Sequence, residues 1–504
     1  MNWEKLQNGS DIRGVALEGI EGEPVNLDKR IMHILGKSFI HWLKKRDYNS
    51  PITVSVGSDS RLSGPALKDA FMNGMKESGA KVFDCGLAST PAMFMSTVLG
   101  DQPTVAGVML TASHLPFNRN GLKFFTRRGG LDKKDISEIL SIAKQPNFET
   151  SEKTFDVERK EFMLEYSEYL VSYIRKTASL KSNYDKPLKG LKIIVDAGNG
   201  AGGFFASKVL AQLGANTHGS QFLEPNGNFP NHIPNPEDKV AMQSICEAVL
   251  KEKADLGIIF DTDVDRSAIV DASGKPINRN ALIALISTVI LGEHPGSTIV
   301  TDSITSDGLN HFIEKDLKGK HHRFKRGYKN VINEAVRLNE SGEESWLAIE
   351  TSGHAALKEN FFLDDGAYLV AKLLVEMARL NEENKTLPAL ISALKQPCES
   401  REIRFNIKKS DFKEYGLSVL EQLETEVASE KGWEVVSPNY EGIRVKCSSS
   451  DEQGWFLLRL SLHDPVMPLN IESNVGGGVN KIKERLAHIF AQFNGLDLKS
   501  FNLQ

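Results

Sequence analysis

Short apolar runs alternate with segments whose apolar positions recur every three to four residues through most of this chain. Ile52-Thr53-Val54-Ser55-Val56 predicts a strand that enters the polar loop Gly57-Ser58-Asp59-Ser60-Arg61-Leu62-Ser63, after which Leu67, Ala70, Phe71 and Met75 share a helical face. Residues 81–83 read as the next strand. A second region repeats the order: Lys192-Ile193-Ile194-Val195-Asp196 enters Ala197-Gly198-Asn199-Gly200-Ala201-Gly202-Gly203, and 205–213 follow at helical spacing. A third opens with Ser297-Thr298-Ile299-Val300-Thr301 and closes on a helical face of Tyr368, Leu369, Leu373 and Met377. This rhythm predicts an α/β protein with largely parallel sheets and ligands at the carboxyl ends of the strands.

The connector 152–186 is charged and helical in pattern, with Phe162, Tyr166, Tyr169, Leu170 and Tyr173 on one face. After Leu394 the pattern changes. Residues 401–407, 444–447 and 455–462 predict antiparallel strands, and a last helix turns Val479, Ile482, Leu486, Ile489 and Phe493 inward, which makes an α+β tail.

Length changes the picture first: 504 residues imply about three to four domains. The composition, 40% hydrophobic and 25% charged, is that of a soluble protein, and no apolar run reaches the ~20 residues of a membrane helix. A net charge of −5 gives no global attraction to nucleic acid or anionic lipid, so anionic ligands must meet local clusters of Arg and Lys. The N-terminus carries no export or import signal, and a cytoplasmic protein is expected. The four cysteines, Cys85, Cys246, Cys398 and Cys447, are widely spaced, without Cys-x-x-Cys, and read as reduced thiols.

Two loops carry candidate chemistry. Thr111-Ala112-Ser113-His114-Leu115-Pro116 leaves the apolar run 105–110 and presents a hydroxyl beside His114, with the Asn120-Gly121 turn bringing Lys123 back toward Ser113. Asp261-Thr262-Asp263-Val264-Asp265-Arg266 leaves the apolar run 254–260 and offers three carboxylates at alternate positions, which converge on one face of an extended segment and suit a hard cation. A calcium loop of EF-hand type is excluded, because Arg266 stands where that loop needs Gly and Ala272 where it needs a bidentate Glu. A serine beside a magnesium-type site points to phosphoryl transfer. The Gly198-Asn199-Gly200 loop lacks Gly-x-Gly-x-x-Gly and the P-loop Lys-Ser/Thr pair, so it is assigned to backbone geometry.

These loops, with three others in order, resemble the α-D-phosphohexomutases of the phosphoglucomutase/phosphomannomutase kind. Gly9-Ser10-Asp11-Ile12-Arg13-Gly14 is similar to the family's N-terminal arginine motif, and Ser113 falls where the family carries its phosphoserine. Glu350-Thr351-Ser352-Gly353-His354 resembles its sugar loop, and Arg459-Leu460-Ser461-Leu462-His463-Asp464-Pro465 is a degraded form of its phosphate loop. Leu115, Tyr328, Thr351, Leu462 and His463 depart from the pattern. Lys325-Arg326-Gly327-Tyr328-Lys329 occupies the place of a loop that often holds Gly-His, and from it Lys329 or Arg326 is a substrate contact.

The resemblance implies three mixed α/β domains and a C-terminal α+β domain around a central cleft: 1–170 with the phosphoserine, 171–292 with the metal, 293–398 with the sugar, 399–504 with the phosphate. It implies interconversion of hexose 1-phosphate and hexose 6-phosphate through phosphorylated Ser113 and a bound 1,6-bisphosphate that turns end for end. Magnesium would be held by Ser113, Asp261, Asp263 and Asp265, with hexose 1,6-bisphosphate as activator. Arg13, His114, Lys123, Arg266 and His354 would serve the transfer, with Lys123 or His354 moving the proton. Glu350, Ser352, Lys329, Arg459, Ser461 and His463 would bind the substrate. Sugar phosphates are the expected partners, without nucleic acid or membrane, for a monomer or dimer. A phosphoglucosamine mutase and a non-catalytic sugar-phosphate sensor remain alternatives. The Gly476-Gly477-Gly478 run is read as a flexible turn in preference to an anion site.

Overall fold

β-branched and aliphatic runs without charge make the central strands, because each is covered on both faces. Ala106–Leu110 and Thr53–Ser58 are such strands in the computed structural model, which describes residues 2–46, 48, 51–148, 151, 155–180, 183–461 and 464–501. The chain divides into two units, Met1–Leu282 with Ser352–Leu390, and Ile283–Thr351 with Ile391–Gln504.

In the first unit, Thr53–Ser58 pairs in parallel with Lys81–Leu87 on one side and Ala106–Leu110 on the other. Arg119–Thr126 then returns antiparallel to Ala106–Leu110 and pairs on its far edge with Asp11–Val15. That reversal places Arg13 and Lys123 on adjoining strands beside the loop that leaves Leu110. Helix Lys29–Lys44 begins at Asp28, whose side chain accepts from the Ile31 amide, and it packs with Gly64–Glu77 over a core that includes Phe39, Phe71 and Phe124.

The second sheet corrects the expectation of parallel strands. Ile193–Asp196 runs parallel to Leu256–Phe260, but Leu256–Phe260 and Ser267–Asp271 form an antiparallel hairpin that continues into Pro276–Ile277. A loop of six residues, 261–266, is too short for a crossover helix and can only turn back. The aspartate motif is therefore a hairpin turn. Residues 205–213 hold a π-helical segment, Phe205–Leu210, instead of a regular helix. Helix Gly366–Glu382, read from the sequence as the close of the third region, belongs to the first unit, as does the short hairpin Ala355–Leu357/Leu363–Asp364.

In the second unit, Lys320–Phe324, Thr298–Asp302 and Ser345–Ile349 are parallel neighbours, as their crossover helices require. The tail is antiparallel: Glu399–Asn406, Val466–Ser473, Gly454–Leu458, Ile443–Cys447 and Trp433–Val435 lie side by side in that order. Gly478–Phe490 buries Val479, Ile482, Leu486 and Ile489 against this sheet, and Phe493 is buried just beyond the helix end. The strand predicted over 455–462 ends at Leu458, which leaves Arg459 at its mouth.

Candidate active site

Ser113 leaves the strand Ala106–Leu110 in a left-handed conformation, φ 51°, and is buried. A non-glycine residue there is held by its surroundings. The Ser113 amide donates to Thr111 Oγ1 at 2.9 Å, and Arg61 supplies the rest of the clamp. Its guanidinium donates to the carbonyls of Ser113 (2.5 Å), Leu115 (2.6 Å), Pro116 (2.7 Å) and Arg119 (3.0 Å), while Nε lies 3.2 Å from Asp59 Oδ2. Arg61 is 1% exposed. Burial pushes the Asp59 carboxyl up to about 6, against the pull of Arg61.

The aspartate turn meets Ser113 directly. Ser113 Oγ donates to Asp261 Oδ2 at 3.1 Å and lies 3.2 Å from His114 Nδ1. Asp261, Asp263 and Asp265 each offer a carboxylate oxygen within 4.8 Å of the others, and all three are fully buried. Val264, between Asp263 and Asp265, has φ 69°, a conformation costly for a β-branched residue and so held by its surroundings. Lys123 Nζ is 2.6 Å from Asp265 Oδ2 and 3.8 Å from Asp263 Oδ2, and Thr90 Oγ1 donates to Asp263 Oδ2 at 2.5 Å.

Electrostatics divide the cluster. Burial, reinforced by Asp265 and Asp263, raises Asp261 well above the carboxylate range. Burial would raise Asp265 too, but Lys123, His354 and Arg266 outweigh it and hold that group below its ordinary value. His114 is pulled down to about 2 by burial and by the charges of Arg266 and Arg13, so it is neutral at any working pH.

The cluster fits a hard divalent cation. Asp263 Oδ1 and Asp265 Oδ1 are buried without a hydrogen-bond partner, which costs free energy unless a cation or donor takes them. An all-oxygen set of carboxylates and a hydroxyl suits magnesium over a soft transition metal. A second trio, Asp265, His354 and Asp364, is also close enough to be considered. In it His354 Nδ1 faces the carboxylates, 3.8 Å from Asp265 Oδ1, while Nε2 on the far side of the ring accepts from Arg266 Nε at 2.7 Å. His354 Nδ1 lies 2.6 Å from Asp364 Oδ2, a charge contact off the hydrogen-bond line. Arg13 joins the same unit through Asp11, with NH2 2.8 Å from Oδ2. Ser113, His114, Lys123, Arg13, Arg266, His354 and the three aspartates are thus all in the first unit, with Ser352, whose hydroxyl is buried and lacks a partner.

The second unit gathers the other predicted ligands. Glu350 Oε1 accepts from the Gly327 amide at 2.7 Å, fixing the turn after Arg326. Arg326 Nε is 3.7 Å from Asp302 Oδ2, which also accepts from the Thr351 hydroxyl at 2.6 Å. Arg459 is buried with Nε lacking a partner, and burial, then the charge of Arg326, lowers its pKa. Two guanidiniums that repel one another and an unpaired buried N–H make a place for an anion. Lys329 is half-buried in the first turn of helix Tyr328–Glu340. Ser461 Oγ accepts from the Asp464 amide at 3.4 Å, and Leu462 and His463 lie outside the described residues. At the glycine run, the Glu399 carboxylate accepts from the amides of Gly477 (2.7 Å) and of Val479 just beyond it (3.1 Å).

Sequence reasoning passed over Arg61, Thr90, Asp364 and Glu441, the last of which accepts from the Arg326 amide at 3.2 Å. For Arg61 a signal existed: Ser58-Asp59-Ser60-Arg61 follows a strand end just as the other site loops do.

Comparisons with known proteins cover most of the chain. Residues 4–150, 166–274 and 278–397 match the descriptions phosphoglucomutase/phosphomannomutase, alpha/beta/alpha domain I, domain II and domain III. A phosphomannomutase/phosphoglucomutase of Pseudomonas syringae pv. tomato is 32% identical over 445 residues, 86% of each chain. A phosphoglucomutase of Neisseria gonorrhoeae is 29% identical over 433 residues, 86% of this chain and 87% of that protein. The crystal structure of a phosphoglucomutase/phosphomannomutase family protein from Burkholderia thailandensis is similar with a TM-score of 0.79 at 25% identity, covering 97% of this chain and 98% of that one. On the three matched domains and the identity to these relatives, the chain belongs to the phosphoglucomutase/phosphomannomutase family, the α-D-phosphohexomutases.

Proposed function

We propose that this chain interconverts the 1- and 6-phosphates of glucose and of mannose, carrying the phosphoryl group in transit on Ser113. The observation that supports this most is the Ser113 hydroxyl 3.1 Å from Asp261 within a buried cluster of three aspartates and Lys123. Phosphorylated Ser113 donates to the free sugar hydroxyl: the Ser113 Oγ–P bond breaks, the sugar O–P bond forms, and the hydroxyl proton passes to the protein. His354 and Lys123 are the two candidates for moving that proton: His354 Nε2 can take it only once the bond from Arg266 Nε is released, and Lys123, an ammonium paired with Asp265, only after giving up a proton of its own. The resulting 1,6-bisphosphate turns end for end, and its other phosphoryl returns to Ser113.

Asp261, Asp263, Asp265 and an oxygen on Ser113 are the groups that would hold magnesium, which when bound neutralises charge on the phosphoryl oxygens. Arg13, Lys123 and Arg266 add fixed positive charge for the same oxygens, and neutral His114 hydrogen-bonds Ser113 without competing charge. Glu350 and Ser352 bind sugar hydroxyls. Arg459, Ser461 and His463, with Arg326 and Lys329, take the phosphate that is not being transferred.

The same reading assigns 1–170, 171–292, 293–398 and 399–504 as four domains, hexose 1,6-bisphosphate as activator, and a cytoplasmic monomer or dimer. Among the described residues no helix is long and apolar enough to cross a membrane. The test is a coupled assay of purified protein with glucose 1-phosphate and mannose 1-phosphate plus catalytic bisphosphate. Turnover of both, abolished by chelation and restored by Mg²⁺, is expected. No turnover of either sugar would overturn the reading.

A further inference from the structure

The aspartate turn rests on another backbone. Residues 197–201 follow strand Ile193–Asp196, and the Ala201 amide donates to the Thr262 carbonyl at 2.8 Å. A Cβ on Gly200 would lie 2.5 Å from that oxygen and 2.8 Å from Thr262 Cα, so only glycine lets the two loops touch. Thr262 stands between Asp261 and Asp263. Whatever fixes 197–201 therefore fixes the spacing of those two carboxylates.

That turn is held by Asp196 and His232. Asp196 accepts from the Gly198 amide at 2.9 Å and from Gln221 Nε2 at 2.7 Å. Its two oxygens lie 3.1 and 3.0 Å from His232 Nε2. On the other side of the ring, His232 Nδ1 is 2.9 Å from the carbonyl oxygen of Ile233. A carbonyl only accepts, so Nδ1 carries a hydrogen. Both Asp196 oxygens already act as acceptors, from the Gly198 amide and from Gln221, and as acceptors toward the ring they require that Nε2 carries one as well. The ring is an imidazolium, with its side chain 1% exposed against a fully buried carboxylate. Burial opposes that charge, but the bonds to Asp196 and the nearby Asp238 outweigh it and raise the pKa. Beside the ring, Asn231 Nδ2 donates to Asn199 Oδ1 at 2.7 Å, a second tie to the same turn.

We propose that His232, a buried imidazolium paired with Asp196, is a positioning residue that holds turn 197–201 against Thr262 and so sets the aspartate cluster for its divalent cation. The inference rests on the reading of Asp261, Asp263 and Asp265 as a cation site.

The full chain, stripped of metal and titrated with Mn²⁺ alone while free Mn²⁺ is followed by electron paramagnetic resonance, tests both. His232→Gln leaves one amide group that cannot serve Asp196 and the Ile233 carbonyl together, and it should bind Mn²⁺ about ten- to a hundredfold more weakly. Val249→Ala, a core truncation in the same unit, controls for lost stability and should keep the wild-type affinity. Wild-type affinity in folded His232→Gln, or equal weakening in Val249→Ala, overturns the positioning role. No Mn²⁺ binding by the wild type overturns the cation reading beneath it. Nitrogen NMR of histidine-labelled wild type at about pH 7.5, where exposed imidazoles are neutral, reads the ring directly even if the variant does not fold. One doubly protonated ring is expected there; its absence overturns the imidazolium.

Discussion

Arg61 shows how one side chain sets the geometry of another. Four carbonyls of the Ser113 loop converge on its guanidinium, which has the planar fork needed to hold them, and lysine does not. Arg61→Lys should therefore fold yet lose turnover far more than substrate affinity, because Ser113 would no longer be held beside Asp261. Arg61→Ala should cost about 3–5 kcal/mol in urea denaturation, since it leaves Asp59 buried without its partner. A folded Arg61→Lys with wild-type kcat would remove the clamp from the account. Ser113, the aspartates and Lys123 were legible in the sequence as candidates because their types and spacing suit phosphoryl transfer, and the structure brings them together. For Arg61 the sequence offered only its place at a strand end: its role is to carbonyls, which every residue has, and only the fold says whose carbonyls they are. Asp364 was missed for a similar reason, since its contact with His354 closes through a short hairpin with no motif of its own.

At the scale of elements, alternating apolar runs gave the strands and the helical faces, but not the direction in which strands pair. The turn 261–266 makes an antiparallel hairpin where the βα rhythm suggested a parallel sheet, and loop length was the signal that decides it. Strand contact is close where Arg119–Thr126 passes Asp11–Val15. A Cβ on Gly121 would lie 2.2 Å from the Ile12 carbonyl and 2.9 Å from that of Thr111. Gly121→Ala should cost about 1–3 kcal/mol by strain and should lower kcat as Arg13 and Lys123 move apart. Unchanged stability and turnover would mean that these strands do not set the site. A second element carries a pH signature. Asp365, at the N-cap of helix Gly366–Glu382, accepts from the Tyr166 hydroxyl and the Tyr368 amide, and burial pushes its carboxyl up to about 6. Its folded pKa exceeds the unfolded one near 4, so the folded state binds the extra proton, and this stability is lost as pH rises through 6. Asp365→Asn removes that loss. The stability difference, variant minus wild type, should grow by about 2 kcal/mol between pH 4.5 and 7 in paired denaturation curves. A pH-independent difference would refute it.

Across the whole molecule, the order of five loops made the family legible, while the partition of the chain into two units did not show in the pattern. Helix Gly366–Glu382 belongs with the first unit although it follows the second unit's strands in sequence, because segment order does not state which core a helix joins. The basic residues proposed to take the non-transferring phosphate, Arg326 and Arg459, lie in the second unit. Arg459→Ala removes a charge-assisted phosphate contact worth roughly 1.5–3 kcal/mol, about ten- to more than a hundredfold in affinity. KM for both the 1- and the 6-phosphate should rise, because each presents its distal phosphate in turn. If both KM values stay at wild type, the anion site lies elsewhere. The central claim, that the phosphoryl group in transit rides on Ser113, is tested most directly by phosphopeptide mass spectrometry of the enzyme after incubation with labelled hexose 1,6-bisphosphate. Label on Ser113 in the active wild type, with neither label nor turnover in Ser113→Ala, is the expected result. Full turnover by Ser113→Ala, or label confined to another residue of the active enzyme, would contradict it.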